Sequence, residues 1–159
     1  MDKQKAEEIA VEILKEFEGF RPEAYLDRKS KDAVLTLGFG QILIDGRPVQ
    51  VGDKITYDNA LSYLKSEVTK RLNEILSWAK NNGVELNEHE SAALCSFAYN
   101  EGVFCLEKST LANNIIDNNR ENIKEDFEMY DKMKINGRLE ESDSLLRRRR
   151  REYDVFMGN

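Results

Sequence analysis

The sequence predicts an α+β fold: a small sheet lobe and a larger helical lobe, joined by one long helix. Three observations point there. Residues 3–17 and most of the chain after 56 place apolar side chains at the three–four spacing of a helix. The stretch 23–51 departs from that rhythm. It is rich in Val, Leu, Ile and aromatic residues with turn residues between them, the mark of strands. Between the two regions, Ala60, Leu61, Leu64, Val68, Leu72, Ile75, Leu76 and Ala79 form one continuous stripe, long enough to bridge two lobes.

The elements follow in order. Ala6, Ile9, Ala10, Ile13, Leu14 and Phe17 make a buried stripe on a helix over 3–17. Gly19 suits the left-handed conformation that closes a helix, and Pro22 prevents the helix from resuming. A small three-stranded antiparallel sheet is expected across 23–51, with Asp45-Gly46 as a tight hairpin turn between Ile42-Leu43-Ile44 and Val49-Gln50-Val51. So small a sheet has to lean on helices. Thr56 is the expected N-cap of the long helix to about Asn81, which Gly83 closes. Asn87 with Glu90 three residues later reads as a capping box. It opens a nearly all-apolar helix through Ala93, Leu94, Phe97 and Ala98, which should lie at the centre. Ser109 caps a short helix through Ile115 and Ile116, and the Asn-rich patch 113–122 is a loop between short helices. Ile123, Phe127 and Tyr130 face inward from another helix. Gly137 breaks the chain before a last helix over 142–156. No linker or internal repeat divides the sequence, so 1–159 is one domain. Its sheet lobe is 19–55 and its helical lobe 56–159, with the helix 3–17 packed on the latter.

Composition narrows the function classes. With 40% hydrophobic and 34% charged residues the chain is neither disordered nor a membrane protein. Its first eight residues are charged and helix-like and lack the apolar core of a signal peptide, so the product is expected to stay in the cytoplasm unless something releases it. No stable membrane association is expected, and the chain should be a monomer. The net charge of -6 disfavours unspecific nucleic-acid binding. One His and two Cys without ligand spacing point to no metal, and no cofactor is expected. Cys95, in an apolar run, reads as a small core residue. His89, in the first turn of a helix among glutamates, reads as a solvated side chain.

The chemistry concentrates between Glu18 and Gln41. A helix ends on Glu18, a strand ends on Asp27, and the next strand carries Thr36 before Gly38 and Gly40. That layout sets a carboxyl on a helix end against an aspartate and a threonine on a hairpin. Two carboxyls across a cleft are the equipment of glycoside hydrolysis: one protonates the leaving oxygen while the other positions water or attacks the sugar.

This stretch resembles the active-site signature of the phage-type lysozymes, glycoside hydrolase family 24. Glu18-Gly19, the eight residues between Glu18 and Asp27, and Thr36-Leu37-Gly38-Phe39-Gly40 follow the family pattern. There are two departures. Eight residues separate Asp27 from Thr36 where the family usually has five, which predicts an extended turn over 28–32. Gln41 stands where a His is common. Further along, 86–102 is similar to the family's central helix, and Tyr99-Asn100-Glu101-Gly102 to its aromatic-Asn-x-Gly, which faces the sugar groove. Ser109-Thr110-Leu111 matches the next piece.

Arg147, Arg148, Arg149, Arg150 and Arg151 are the most conspicuous charge run. Alone they would suggest a nucleic-acid patch. A helix turns about 100° per residue, so the five cannot share a face. Leu145, Leu146, Glu152, Tyr153 and Phe156 cluster on one side, with Arg149 in the middle of it and Arg148 at its border. An arginine in the centre of an apolar face needs a buried partner, and Glu18 is the expected one. Arg148, Arg149, Glu152 and Phe156 have the spacing of the family's C-terminal Arg-Arg, Glu and Phe. The family implies that an arginine from this region supports the catalytic glutamate. Ser144 stands at the family's Gly before the pair, and Tyr130 in place of a Trp.

The resemblance implies a lysozyme-like fold and hydrolysis of the β-1,4 bond between N-acetylmuramic acid and N-acetylglucosamine in bacterial peptidoglycan. It implies Glu18 as general acid, Asp27 and Thr36 holding or activating water, Arg149 with Arg148 in support, and Tyr99, Asn100 and Phe39 binding sugar. It also implies the endolysin route, in the host cytoplasm until a holin opens the membrane. Three other readings compete: a lytic transglycosylase, which would need no water, a chitin-active relative, and a helical nucleic-acid binder using the arginine run.

Overall fold

A computed structural model describes residues 1–27, 34–135 and 137–159. The extended turn expected over 28–32 lies outside the described residues. Helix α1 (Lys3–Glu18) starts at Asp2, whose carboxylate accepts from Lys5 N at 3.1 Å, and it stops at Gly19 with φ +63°. Strands β1 (Arg21–Asp27) and β2 (Val34–Gly38) pair antiparallel, with an irregularity in β1 between Arg21 and Tyr25. Strands β3 (Leu43–Ile44) and β4 (Arg47–Pro48) form a minimal hairpin. Its turn is Asp45-Gly46, with φ +48° and +80°, and both positive values match the twist a two-residue hairpin needs.

The expected three-stranded sheet is instead two separate two-stranded ribbons. Between β2 and β3 the chain doubles back through Gly38 (φ +65°) and Gly40 (φ +77°), so Leu37 bridges Gln41 rather than a third strand. β4 ends at Pro48, which has no N–H for a ladder. The ribbons are tied by a Glu23–Lys54 bridge and by Ala24 N to Asp53 O, 2.9 Å.

Helix α2 (Tyr57–Asn81) is capped by Thr56 and buries Ala60, Leu64, Val68, Leu72, Ile75 and Ala79 of the expected stripe, with Trp78 added, while Leu61 and Leu76 are only partly buried. Helix α3 (Glu88–Glu101) opens on the Asn87–Glu90 capping box and is buried continuously from Glu90 to Ala98. It shows no stripe because α1, α2 and α7 cover it from different sides. Helices α4 (Val103–Glu107), α5 (Thr110–Ile116, capped by Ser109) and α6 (Ile123–Glu128) wrap this centre. A hairpin of β5 (Lys132–Ile135) and β6 (Arg138–Glu141) then leads into α7 (Asp143–Phe156). The sequence reading marks only a break at Gly137 there. The structure uses that glycine, at φ +79°, in the turn of a hairpin.

Candidate active site

Glu18 is the last residue of α1, and its side chain is 21% exposed. Two neighbours meet its carboxylate. Arg148 Nη1 donates to Oε1 at 2.9 Å. Gly40 lies beside the other oxygen: a Cβ built there would stand 2.7 Å from Oε2, and at φ +77° the position suits glycine. Arg148 is held in turn. Its Nη2 donates to Ser96 O at 3.2 Å, and its guanidinium lies over the Phe17 ring, 4.8 Å from the centroid.

The support therefore comes from Arg148 and not, as the helical wheel suggests, from Arg149. Arg149 is fully buried. It donates to Glu152 Oε1 at 2.7 Å and to Asn100 Oδ1, lies 3.7 Å from Glu101, and stacks on Phe97. One step along α7 turns a side chain by about 100°. The residue at the border of the stripe thus reaches α1, while the one at its centre points under α7 into α3.

On the first ribbon, Asp27 pairs with Val34, and Tyr25 with Thr36. Residues opposite each other on paired strands point to one face, as do alternate residues along a strand. Asp27, Tyr25 and Thr36 therefore share a sheet face, as the sequence reading requires of Asp27 and Thr36. Thr36 is 4% exposed, and its hydroxyl donates to Val34 O at 3.0 Å. A hydroxyl has one hydrogen and two lone pairs, so this bond leaves Thr36 Oγ1 an acceptor. Tyr25 lies within the fields of both carboxylates. Burial pushes its hydroxyl up, the charges of Asp27 and Glu18 add to that, and Arg21, stacked 4.7 Å over the ring, opposes it.

Tyr99 lines a groove of about 410 Å³ together with Gly40, Gln41, Leu43, Lys70 and Arg71. Its hydroxyl donates to Phe39 O at 2.8 Å, and Arg71 stacks on its ring. Burial, aided by the Glu18 charge, pushes that hydroxyl well above its ordinary value, so it remains a donor throughout the neutral range. Asn100 is exposed, with its carbonyl oxygen turned back to Arg149. That bond leaves the two amide hydrogens of Asn100 to point elsewhere. Phe39, expected to bind sugar, does not face the groove. It is 2% exposed and packs against Phe20 and Tyr57 at 5.6 Å each. The glycines on either side turn it into the core, where it anchors the loop that meets Glu18.

A sequence model of the family described as phage lysozyme matches residues 15–152. The chain belongs to the phage lysozyme family. The endolysin of Acyrthosiphon pisum secondary endosymbiont phage 1 is 28% identical over 147 residues, 91% of this chain and 92% of that one. The endolysin of Salmonella phage P22 is 30% identical over 146 residues, with the same shares. Among solved structures, the endolysin from Escherichia coli O157:H7 phage FAHEc1 aligns with a TM-score of 0.84 at 32% identity, covering 94% of this chain and 90% of that one. The fold is accordingly lysozyme-like, and the chain is a glycoside hydrolase.

Two parts of this lysozyme's site are named in the sequence reading but given no role there. Gln41 is buried, and its Oε1 accepts from Phe39 N at 2.6 Å inside the turn. A Cβ on Gly38 would come within 2.0 Å of that oxygen. The signal was a Gly-x-Gly turn followed at once by a polar side chain able to plug it. The second part is Glu152 with Ser96, buried behind both arginines. Four arginines of the run meet carboxylates: Arg148 and Arg149 as above, Arg150 with Glu128 at 3.1 Å and Arg151 with Glu16 at 3.3 Å. Among the described residues no cluster of His, Cys, Asp and Glu is gathered that could hold a metal.

Proposed function

We propose that this chain is a muramidase that hydrolyses the β-1,4 bond between N-acetylmuramic acid and N-acetylglucosamine in peptidoglycan, acting as a phage endolysin. The observation that carries the reading is the fixed Glu18 carboxylate. Arg148 occupies Oε1 as a donor, so a proton for transfer has to sit on Oε2, the oxygen beside Gly40. The glycosidic oxygen takes that proton as its bond to the anomeric carbon breaks. A water that gives one hydrogen to Thr36 Oγ1 and the other to Asp27 has a lone pair left to attack that carbon. Asp27 then takes the proton the water loses. Asn100, aimed by Arg149, and Tyr99 bind the sugar chain from the helical wall.

The enzyme works as a monomer and, like other endolysins, gains access to the wall when a holin opens the membrane. Among the described residues no helix is long and apolar enough to cross a membrane by itself. Mass spectrometry of fragments released from purified peptidoglycan tests the proposal. Reducing muramic acid ends, one water added per cut, are expected. Anhydro-muramic ends would make the chain a transglycosylase, and intact glycan strands would refute the reading altogether.

A further inference from the structure

Behind the catalytic wall lies a carboxylate that touches neither the groove nor solvent. Glu152 is fully buried. Its Oε1 accepts from Arg149 Nη1 at 2.7 Å, and its Oε2 accepts from the Ser96 hydroxyl at 2.7 Å and lies 3.6 Å from Arg148 Nε. Ser96 also receives Arg148 Nη2 on its carbonyl. Arg148 thus gives Nη2 to the Ser96 carbonyl and holds Nε 3.6 Å from Glu152, and Nη1 is left to meet Glu18. Arg149, pinned by the same carboxylate, keeps Nη2 for Asn100 and Glu101. Burial pushes the Glu152 carboxyl up, and Arg149, Arg148 and the Ser96 hydroxyl oppose that; one buried carboxyl therefore stands behind both the group that meets the catalytic acid and the group that aims a sugar-facing amide.

We propose that Glu152, with Ser96, is a positioning residue that divides the charge of Arg148 between two carboxylates and so sets the pH above which Glu18 stops serving as an acid. This rests on the role given to Glu18 above. A general acid has to hold a proton when the substrate arrives, and a cation bonded to its carboxylate opposes that. Undivided, Arg148 would favour the ionised form of Glu18. With Glu152 on its other side, part of that pull is spent elsewhere. Among the described residues, the charges that act together with Glu18 are Arg21 and Asp27 at Tyr25 on β1, and Arg71, Glu67 and Arg148 at Tyr99 on α3. Around Glu152 they are Arg148 and Arg149 on its own helix, with Glu101 and Cys105 lying beyond Arg149. Among the described residues, the carboxylates paired with Arg148 are Glu18 and Glu152.

The test is clearance of purified peptidoglycan by the full chain across pH. Glu152→Gln keeps the shape and removes the charge. The alkaline limb of its activity profile should move to lower pH by about one unit or more, the lower end of what one opposite charge does to a carboxyl. Loss of packing alone would lower activity at every pH and leave the limb in place, and that result overturns the proposal. Should Glu152→Gln fail to fold, Ser96→Ala decides. It frees Oε2 to lean on Arg148, and the limb should move to higher pH; an unmoved limb overturns the proposal equally. Glu18→Gln separates the two levels. If it is inactive while the limb of the folded Glu152 or Ser96 variant stays put, only the charge-sharing role fails. If it remains active, the role of Glu18 fails with it.

Discussion

Replacing Arg149 with alanine tests the buried network most severely. The side chain is fully buried, bonded to Glu152, Asn100 and Glu101 and stacked on Phe97. Its removal leaves Glu152 with Arg148 at 3.6 Å and the Ser96 hydroxyl, and it opens a void under α7. Breaking a buried pair from one side costs about 3–5 kcal/mol. For a domain of this size each kcal/mol lowers Tm by about 2–4 °C, so the drop should be about 6–20 °C. Arg151 is the internal control. It meets Glu16 at 3.3 Å with both side chains about half exposed, and such pairs contribute about 0–1 kcal/mol. Thermal unfolding of Arg149→Ala and Arg151→Ala followed by circular dichroism gives the comparison. Equal shifts for the two would refute the placement of Arg149 as the centre of the stripe.

Gly40→Ala should fold but lose most activity, because a methyl group 2.7 Å from Glu18 Oε2, at φ +77°, displaces the carboxylate or the loop. A near-normal rate of peptidoglycan clearance would contradict that contact. Asp53 anchors the loop after β4 by accepting from Arg47 at 2.8 Å and from Gln50 N at 2.8 Å. The Arg47 hydrogen bond first, and the Gln50 N–H second, hold its carboxyl below the ordinary value. A depressed carboxyl stabilises the fold above its unfolded-state pKa, and that contribution is lost as pH falls through the folded-state value. Asp53→Asn should therefore melt below the wild type at neutral pH, with the two converging in acid; a constant gap would refute the linkage.

Much of the fold was legible because helix ends are written locally. Thr56, Asn87 with Glu90, and Ser109 each cap a helix where an oxygen side chain meets an apolar stripe. The Asp45-Gly46 turn and Gly19 needed only backbone reasoning. What stayed hidden depends on neighbours distant in sequence. A helical wheel finds the buried side of α7, but which arginine reaches Glu18 depends on where α1 crosses it. Phe39 looked like a groove residue because it lies in the run Thr36–Gly40 that follows the family pattern, yet the two flanking glycines send it inward. The third strand failed for a related reason, since Gly38 and Gly40 fold the chain onto itself before it can pair. The hairpin before α7 was invisible because β5 and β6 mix charged and apolar residues, and β6 is exposed throughout. Glu152 was seen as part of a motif, but its two arginine partners and Ser96 come together only when α3 and α7 pack.

The catalytic assignment itself rests on Glu18, and Glu18→Gln is its most direct test. The substitution keeps the volume and can still accept from Arg148, but it has no acidic proton to give. Clearance of purified peptidoglycan should be measured alongside circular dichroism and melting of the same sample. The account predicts native-like spectra and cooperative melting with clearance lowered by about 10²–10⁴, the usual share of general acid catalysis. A folded Glu18→Gln protein that clears the wall at a large fraction of the wild-type rate would contradict it.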